Sequence, residues 1–154
     1  MAIQERTDPL TSTWSSYQRM RVQLAARLNQ ELARETGLSE ADYEILCALI
    51  DSPGESARAI ALRCGLEWEK SRLSHQLRRM EERGLVSRHI CTEDNRGLVI
   101  HITDTGRELA RDARRIHDQA VRRYVTEVLT LEQLKALGEI SETILGGLGE
   151  PQHT

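Results

Sequence analysis

The 154-residue sequence predicts a mainly α-helical chain with a small β-hairpin wing, a winged helix-turn-helix framed by N- and C-terminal dimerisation helices. Three observations carry that prediction. Apolar residues recur at helical spacing along most of the chain. Two short helical stretches meet at a glycine near its middle. Directly after Gly84 the helical period gives way, for a short run, to a β-branched, roughly alternating one.

Residues 1–10 are polar and include Pro9, which suggests a loose arm. From Thr11 to about Glu35, Trp14, Tyr17, Met20, Leu24, Leu28 and Leu32 line one side of a long amphipathic helix that Gly37 ends. Ser39 and Asp42 have the spacing of a capping box, with Asp in place of the more usual Glu. The helix they start shows Tyr43, Leu46, Cys47 and Ile50 on one face. "DSPGES" at 51–56 reads as a turn, and "ARAIALRCG" as a short helix whose chain reverses at Gly65. "EKSRLSHQLRRMEERGLV" then reads as a second helix with a glycine stop, completing the helix-turn-helix.

"LVSRHIC" and "GLVIHIT", separated by "TEDNR", read as a hairpin with an Asp-Asn turn. Thr103 can cap a long helix whose apolar line is Leu109, Ala113, Ile116, Ala120, Tyr124 and Val128. "TLEQ" is a second capping box, Thr130 with Gln133. It opens a last helix that shows Leu134, Leu137, Ile140, Ile144 and Leu148. A single domain over 1–154 is expected, with a winged lobe at 39–103 and dimerisation helices at 11–36 and 104–149. The apolar stripes of those flanking helices exceed what one small module can cover. Left in water they cost about 25 cal/mol per Å², so a homodimer that pairs the termini is expected.

Aromatic residues make up only 3% of the chain and Phe is absent, so aliphatic side chains must build the core. The formal net charge is −3, which argues against a nucleic-acid partner until its distribution is considered. Between Ser56 and Arg96 nine Arg or Lys face six Asp or Glu, whereas the remainder holds twelve basic and eighteen acidic residues. A locally basic segment on an acidic body concentrates field where it is needed. Cys47, Cys64 and Cys91 are odd in number and widely spaced, no signal peptide is seen, and no apolar run reaches membrane-spanning length. A reducing cytoplasm is the natural setting, with no membrane partner. His75, His89, His101, His117 and His153 lack ligand spacing, and no phosphate loop or nucleophile–base pair stands out. Neither an enzyme nor a cofactor is expected.

The helix at 69–83 has a thin seam of Leu73, Leu77 and Met80. With that seam inward, at 100° per residue, Ser71, His75, Arg78 and Glu82 point away and Lys70, Arg72, Ser74 and Arg79 flank them. Double-stranded DNA admits such a helix in its major groove, where Arg pairs with guanine acceptors and Ser, Gln76 or His75 reach other base edges. Lys70, Arg72 and Arg79 suit phosphates, which fix register without reading sequence. At the wing tip, Arg96 can enter a minor groove, oriented by Asp94, and Arg88 at the wing base suits a phosphate. An isolated basic helix is more often a solvated surface; the turn-linked helix before it and the hairpin after it favour DNA.

"GLSEADYEILCALI", "AIALRCGLEWEKSRLSHQLRRMEERGLVSR" and "EDNRGLVIHITDTG" resemble the MarR (multiple antibiotic resistance) transcriptional regulators over roughly residues 12–148. The Asp94-x-Arg96 pair followed by a strand and "ITDTG" is the most specific part of that likeness. The resemblance implies a homodimer with intertwined terminal helices, reading a pseudo-palindromic operator, mostly as a repressor. It also implies release by a small aromatic or phenolic ligand held between the dimerisation helices and the lobe. Trp14, Tyr17, Arg21, Tyr43 and Cys47 are the residues that could face such a ligand, although Trp14 and Tyr17, neighbours on one helix face, are more readily read as ordinary packing in a dimer seam. Two alternatives stay open: a redox-responsive regulator acting through Cys91, near Arg88 and His89, and a winged-helix interaction module without DNA binding.

Overall fold

The first helix, α1, spans Pro9–Thr36 in a computed structural model that describes residues 8–91 and 97–149. It begins two residues before the expected point. Asp8 accepts the N–H of Leu10 as an N-cap, and Pro9 fills the first turn, where its missing N–H costs nothing. Gly37 closes the helix at φ +71°, with its N–H on the carbonyl of Ala33. Helix α2, Glu40–Ile50, has the predicted capping box: Ser39 accepts from the Asp42 N–H, and Asp42 accepts from the Ser39 N–H.

Beyond α2 the chain departs from the sequence-based expectation in three places, the last being the long helix expected to run to Val128, which ends at Val121 in a π-type turn. The "DSPGES" turn is a short 3-10 turn, Pro53–Glu55, running into a strand, β1, at Ser56–Arg58. Three residues without alternating apolar side chains leave no periodic signal; β1 exists because β3 offers it an edge. Helix α3, Ala59–Leu66, contains Gly65, so the reversal falls instead at Glu67, held at φ +55°. Helix α4 is Lys70–Glu82, and Gly84 follows at φ +74°.

Strands β2, Val86–Cys91, and β3, Gly97–Ile102, pair antiparallel from Val86↔Ile102 to Cys91↔Gly97. The sheet order is β1-β3-β2. Residues 92–96, where the Asp-Asn turn with Asp94 and Arg96 is expected, lie outside the described residues. Thr103 caps α5, Asp104–Val121, as expected, by accepting the N–H of Gly106. Its hydroxyl also donates to the carbonyl of Gly84, 2.6 Å away, which pins the start of α5 to the end of the helix-turn-helix. A π-type turn at Arg122–Thr126 follows, then α6, Leu131–Leu148, with its Thr130–Gln133 capping box.

The core is aliphatic, as the scarcity of aromatics requires. Leu38, Ile45, Leu46 and Leu49 meet Leu73, Leu77 and Met80 of α4, Val86 and Ile100 of the sheet, and Ala110 and Ala113 of α5. Only Leu32 of α1 is fully buried, and no residue of α6 is. Trp14 is 58% exposed, Ile140 57% and Ile144 52%. The long apolar stripes at the two ends of the chain are therefore left uncovered by the chain itself.

Candidate nucleic-acid interface

Helix α4 turns its seam inward as its spacing requires: Leu73, Leu77 and Met80 are buried, and Ser71, Arg72, Ser74, His75, Arg78 and Arg79 are exposed. Lys70 stands at its first turn. Trp68, in the turn before it, is buried, and the guanidinium carbon of Arg72 sits 3.9 Å from the centre of its ring. That stacking directs Arg72 along the N-terminal end of α4. Arg78 and His75, a turn apart on the outermost line, approach to 3.5 Å between Nη2 and Nδ1.

Two of the expected contact residues are engaged elsewhere. Gln76 is half-buried and donates from Nε2 to Oδ1 of Asp42 at 2.5 Å, so its amide ties α4 to α2 instead of reaching outward. Arg88 turns back from the wing onto Glu81, donating from Nε at 2.8 Å while its backbone N–H bonds the same carboxylate. Arg88 holds the Glu81 carboxyl below its ordinary range, chiefly through the side-chain hydrogen bond. A guanidinium so paired offers phosphates less free charge than its position in the sequence suggests.

The fold adds cations that the sequence reading counted but did not place. A cavity of about 610 Å³ opens between α3, α4 and β3. Arg58, Arg63 and Lys70 line it together with Ser74, over apolar residues that include Leu73, Leu77 and Leu98. These three cations extend the basic surface of α4 toward the wing. Their signal in the sequence was the local excess of basic residues, which carries no geometry by itself.

The five expected ligand residues do not form one pocket within a single chain. Trp14 and Tyr17 lie on the exposed half of α1 with ring centroids 5.2 Å apart, and Arg21 bonds to Gln18 on the same helix. Trp14 precedes Leu32, where α1 enters the core, by eighteen residues, or about 27 Å of helix. Tyr43 instead stacks on His117 of α5 at 5.0 Å. Its phenol is pushed well above its ordinary value, mostly by burial and then by its bond to Cys47. Tyr43 thus joins α2 to α5.

Strand alternation separates Cys91 from the charge expected to activate it. Cys91 and His89 share one face of β2 and Arg88 the other, where it meets Glu81. His89 itself faces Ser87 and His101. The redox alternative therefore loses its guanidinium. Among the described residues no cluster of three or more His, Cys, Asp or Glu could hold a metal ion, and no helix is long and apolar enough to cross a membrane.

A helix-turn-helix whose second helix presents an exposed basic outer face, with a wing beside it, is the architecture of a winged helix-turn-helix protein. No family model matches the sequence, and no curated protein does. Solved structures do. AbsC, a MarR family transcriptional regulator from Streptomyces coelicolor, is 34% identical with a TM-score of 0.84, the match covering 92% of this chain and 95% of that one. Sco3205, a MarR family regulator from the same organism solved in complex with DNA, is 36% identical with a TM-score of 0.83, covering 92% and 91%. A mutant MarR from E. coli, complexed with operator DNA, shares the fold at 18% identity and a TM-score of 0.76, covering 90% and 99%. The chain belongs to the MarR family of transcriptional regulators.

Proposed function

We propose that the chain acts as a homodimeric, sequence-specific repressor that docks α4 of each protomer into successive major grooves of a pseudo-palindromic operator. The observation that carries this reading is the outer face of α4. Ser71, Ser74, His75, Arg78 and Arg79 stand exposed there, while the seam beneath them is buried in the lobe. Arg78 on the outermost line is the side chain best placed for a guanine, and Lys70, Arg72, Arg79, Arg58 and Arg63 surround it with phosphate-seeking charge. The Sco3205 complex with DNA supports the same use of the fold. Arg96 and Asp94 remain part of the reading as the wing's minor-groove contact.

Selection of bound fragments from random duplexes tests it. A symmetric site with half-sites about 10 bp apart is expected. Affinity should fall with salt at a slope of about −0.9 per phosphate neutralised. Arg78→Ala should cost about 1–3 kcal/mol and relax preference at one base pair of each half-site. A chain that ignores every duplex at low salt leaves the interaction-module alternative.

Release by a small aromatic ligand enters this reading as a site between two chains, because Trp14 and Tyr17 are exposed in one. Salicylate-like acids at millimolar concentration should quench Trp14 and weaken operator binding in a Trp68→Phe background. Unchanged fluorescence and affinity would remove the ligand.

A further inference from the structure

We infer that buried Asp42 is the positioning residue of α4, tying the recognition helix to the C-terminal end of α1. The inference rests on the reading that α4 docks in DNA, and it concerns what sets the angle of docking.

Asp42 is 2% exposed, the buried charged residue of the described core. A carboxylate in that setting has to be paired and hydrogen-bonded. Its donors come from separate elements. Oδ2 accepts the Ser39 N–H at 2.9 Å and Nη1 of Arg83 at 2.7 Å, and Oδ1 accepts Nε2 of Gln76 at 2.5 Å. Arg83 donates its other terminal nitrogen to the carbonyl of Gly37 at 3.1 Å, the residue that closes α1. One carboxylate and one guanidinium thus connect the end of α1, the start of α2, and two points on or beside α4.

The spacing of those two points is what matters. Gln76 lies in the middle of α4 and Arg83 is its C-cap, about two turns further on. The seam of Leu73, Leu77 and Met80 holds α4 on the lobe by contacts that have no preferred direction. Such a seam tolerates small rotation about the helix axis. Two directional, charge-assisted bonds at separate levels do not. They fix both the roll of α4, which decides whether Arg78 or His75 meets a base edge, and its axial position. A shift of α1 pulls on the same guanidinium through Gly37, so the long terminal helix and the recognition helix move as linked parts.

Asp42 lies in the core and cannot touch DNA. Any effect of Asp42→Asn on base preference must therefore pass through the placement of α4. The full chain is compared with Asp42→Asn, Gln76→Leu and Arg83→Lys, at a temperature where melting curves show each to be folded. Lys keeps the charge of Arg83 but cannot span Asp42 and Gly37. Operator affinity is expected to fall about tenfold in each variant, with affinity for unrelated duplex and the salt slope unchanged, since the phosphate-facing cations are untouched. An operator-to-unrelated ratio within twofold of the unaltered chain in the folded variants would overturn the inference, even where melting temperature falls. Hydrogen exchange supplies a readout without DNA. Amides across Lys70–Glu82 should exchange faster in Arg83→Lys while those of α5 do not, and unchanged protection of α4 would again overturn it. If the unaltered chain binds no duplex, the docking reading fails instead, and the exchange result alone decides whether the tie holds α4.

Discussion

Glu81 and Arg88 join the C-terminal turn of α4 to the first strand of the wing, and their pairing has a pH signature. The Glu81 carboxyl is held below its ordinary value of 4.5 by the Arg88 side chain first. A group whose folded pKa is depressed contributes stability above its unfolded pKa and loses that contribution as pH falls through the folded value. Glu81→Gln should therefore melt slightly below the unaltered chain at pH 7, and the gap should close on acidification below pH ~4.5. Parallel melts at four or five pH values check this; a gap that widens toward acid would contradict the pairing. The same pair shows where single-residue reading ends. Arg88 in "LVSRHIC" and Gln76 in the polar face of α4 carry the chemistry of DNA contacts, and both are used internally. Sequence spacing told which way each Cα faces, but not that Glu81 or Asp42 stood within reach. The exposure of Arg78, Ser71 and His75, which no other element opposes among the described residues, was legible from the wheel alone.

At the scale of elements, capping chemistry and glycine placement were the readable signals. Ser39–Asp42, Thr103 and Thr130–Gln133 each cap the helix predicted for them, because a cap is a bond within four residues. β1 was not legible, since a three-residue strand is defined by its partner, and Gly65 misled because the left-handed turn is made by Glu67. Gly106 in "ITDTG" has a reason that only packing reveals. A Cβ there would lie 2.1 Å from the carbonyl oxygen of Leu85, so α5 approaches the end of the helix-turn-helix backbone to backbone. Gly106→Ala must push α5 away from Leu85 and strain the Thr103 cap. Overpacking of that kind typically costs about 1–3 kcal/mol, and for a chain of this size each kcal/mol lowers Tm by about 2–4 °C. Thermal unfolding should show a drop of several degrees; an unchanged Tm would mean that α5 can slide freely on the lobe.

For the whole molecule, the decisive feature is how unevenly the apolar surface is covered. The lobe buries the α4 seam of Leu73, Leu77 and Met80, while α6 leaves Leu137, Ile140, Ile144, Leu145 and Leu148 exposed and α1 leaves Trp14, Tyr17 and Met20 exposed. Burying one such aliphatic side chain is worth about 1.5–3 kcal/mol. Two copies that wrap α1 and α6 around each other would cover both stripes and set two α4 helices side by side. The mass in solution should then be twice the 17.5 kDa of one chain. Ile140→Glu together with Ile144→Glu places four like charges in the middle of that seam, and the lobe core does not include either residue. The double variant should sediment as a monomer, keep its helical spectrum, and lose roughly 10²–10⁴ in operator affinity, because the second lobe no longer binds as part of the same molecule. Its binding to an isolated half-site should stay close to that of the unaltered chain, since α4 and its flanking cations are intact. A variant that remains dimeric would move the interface to α1. A variant that is monomeric yet binds the full site undiminished would show that one lobe carries the whole recognition.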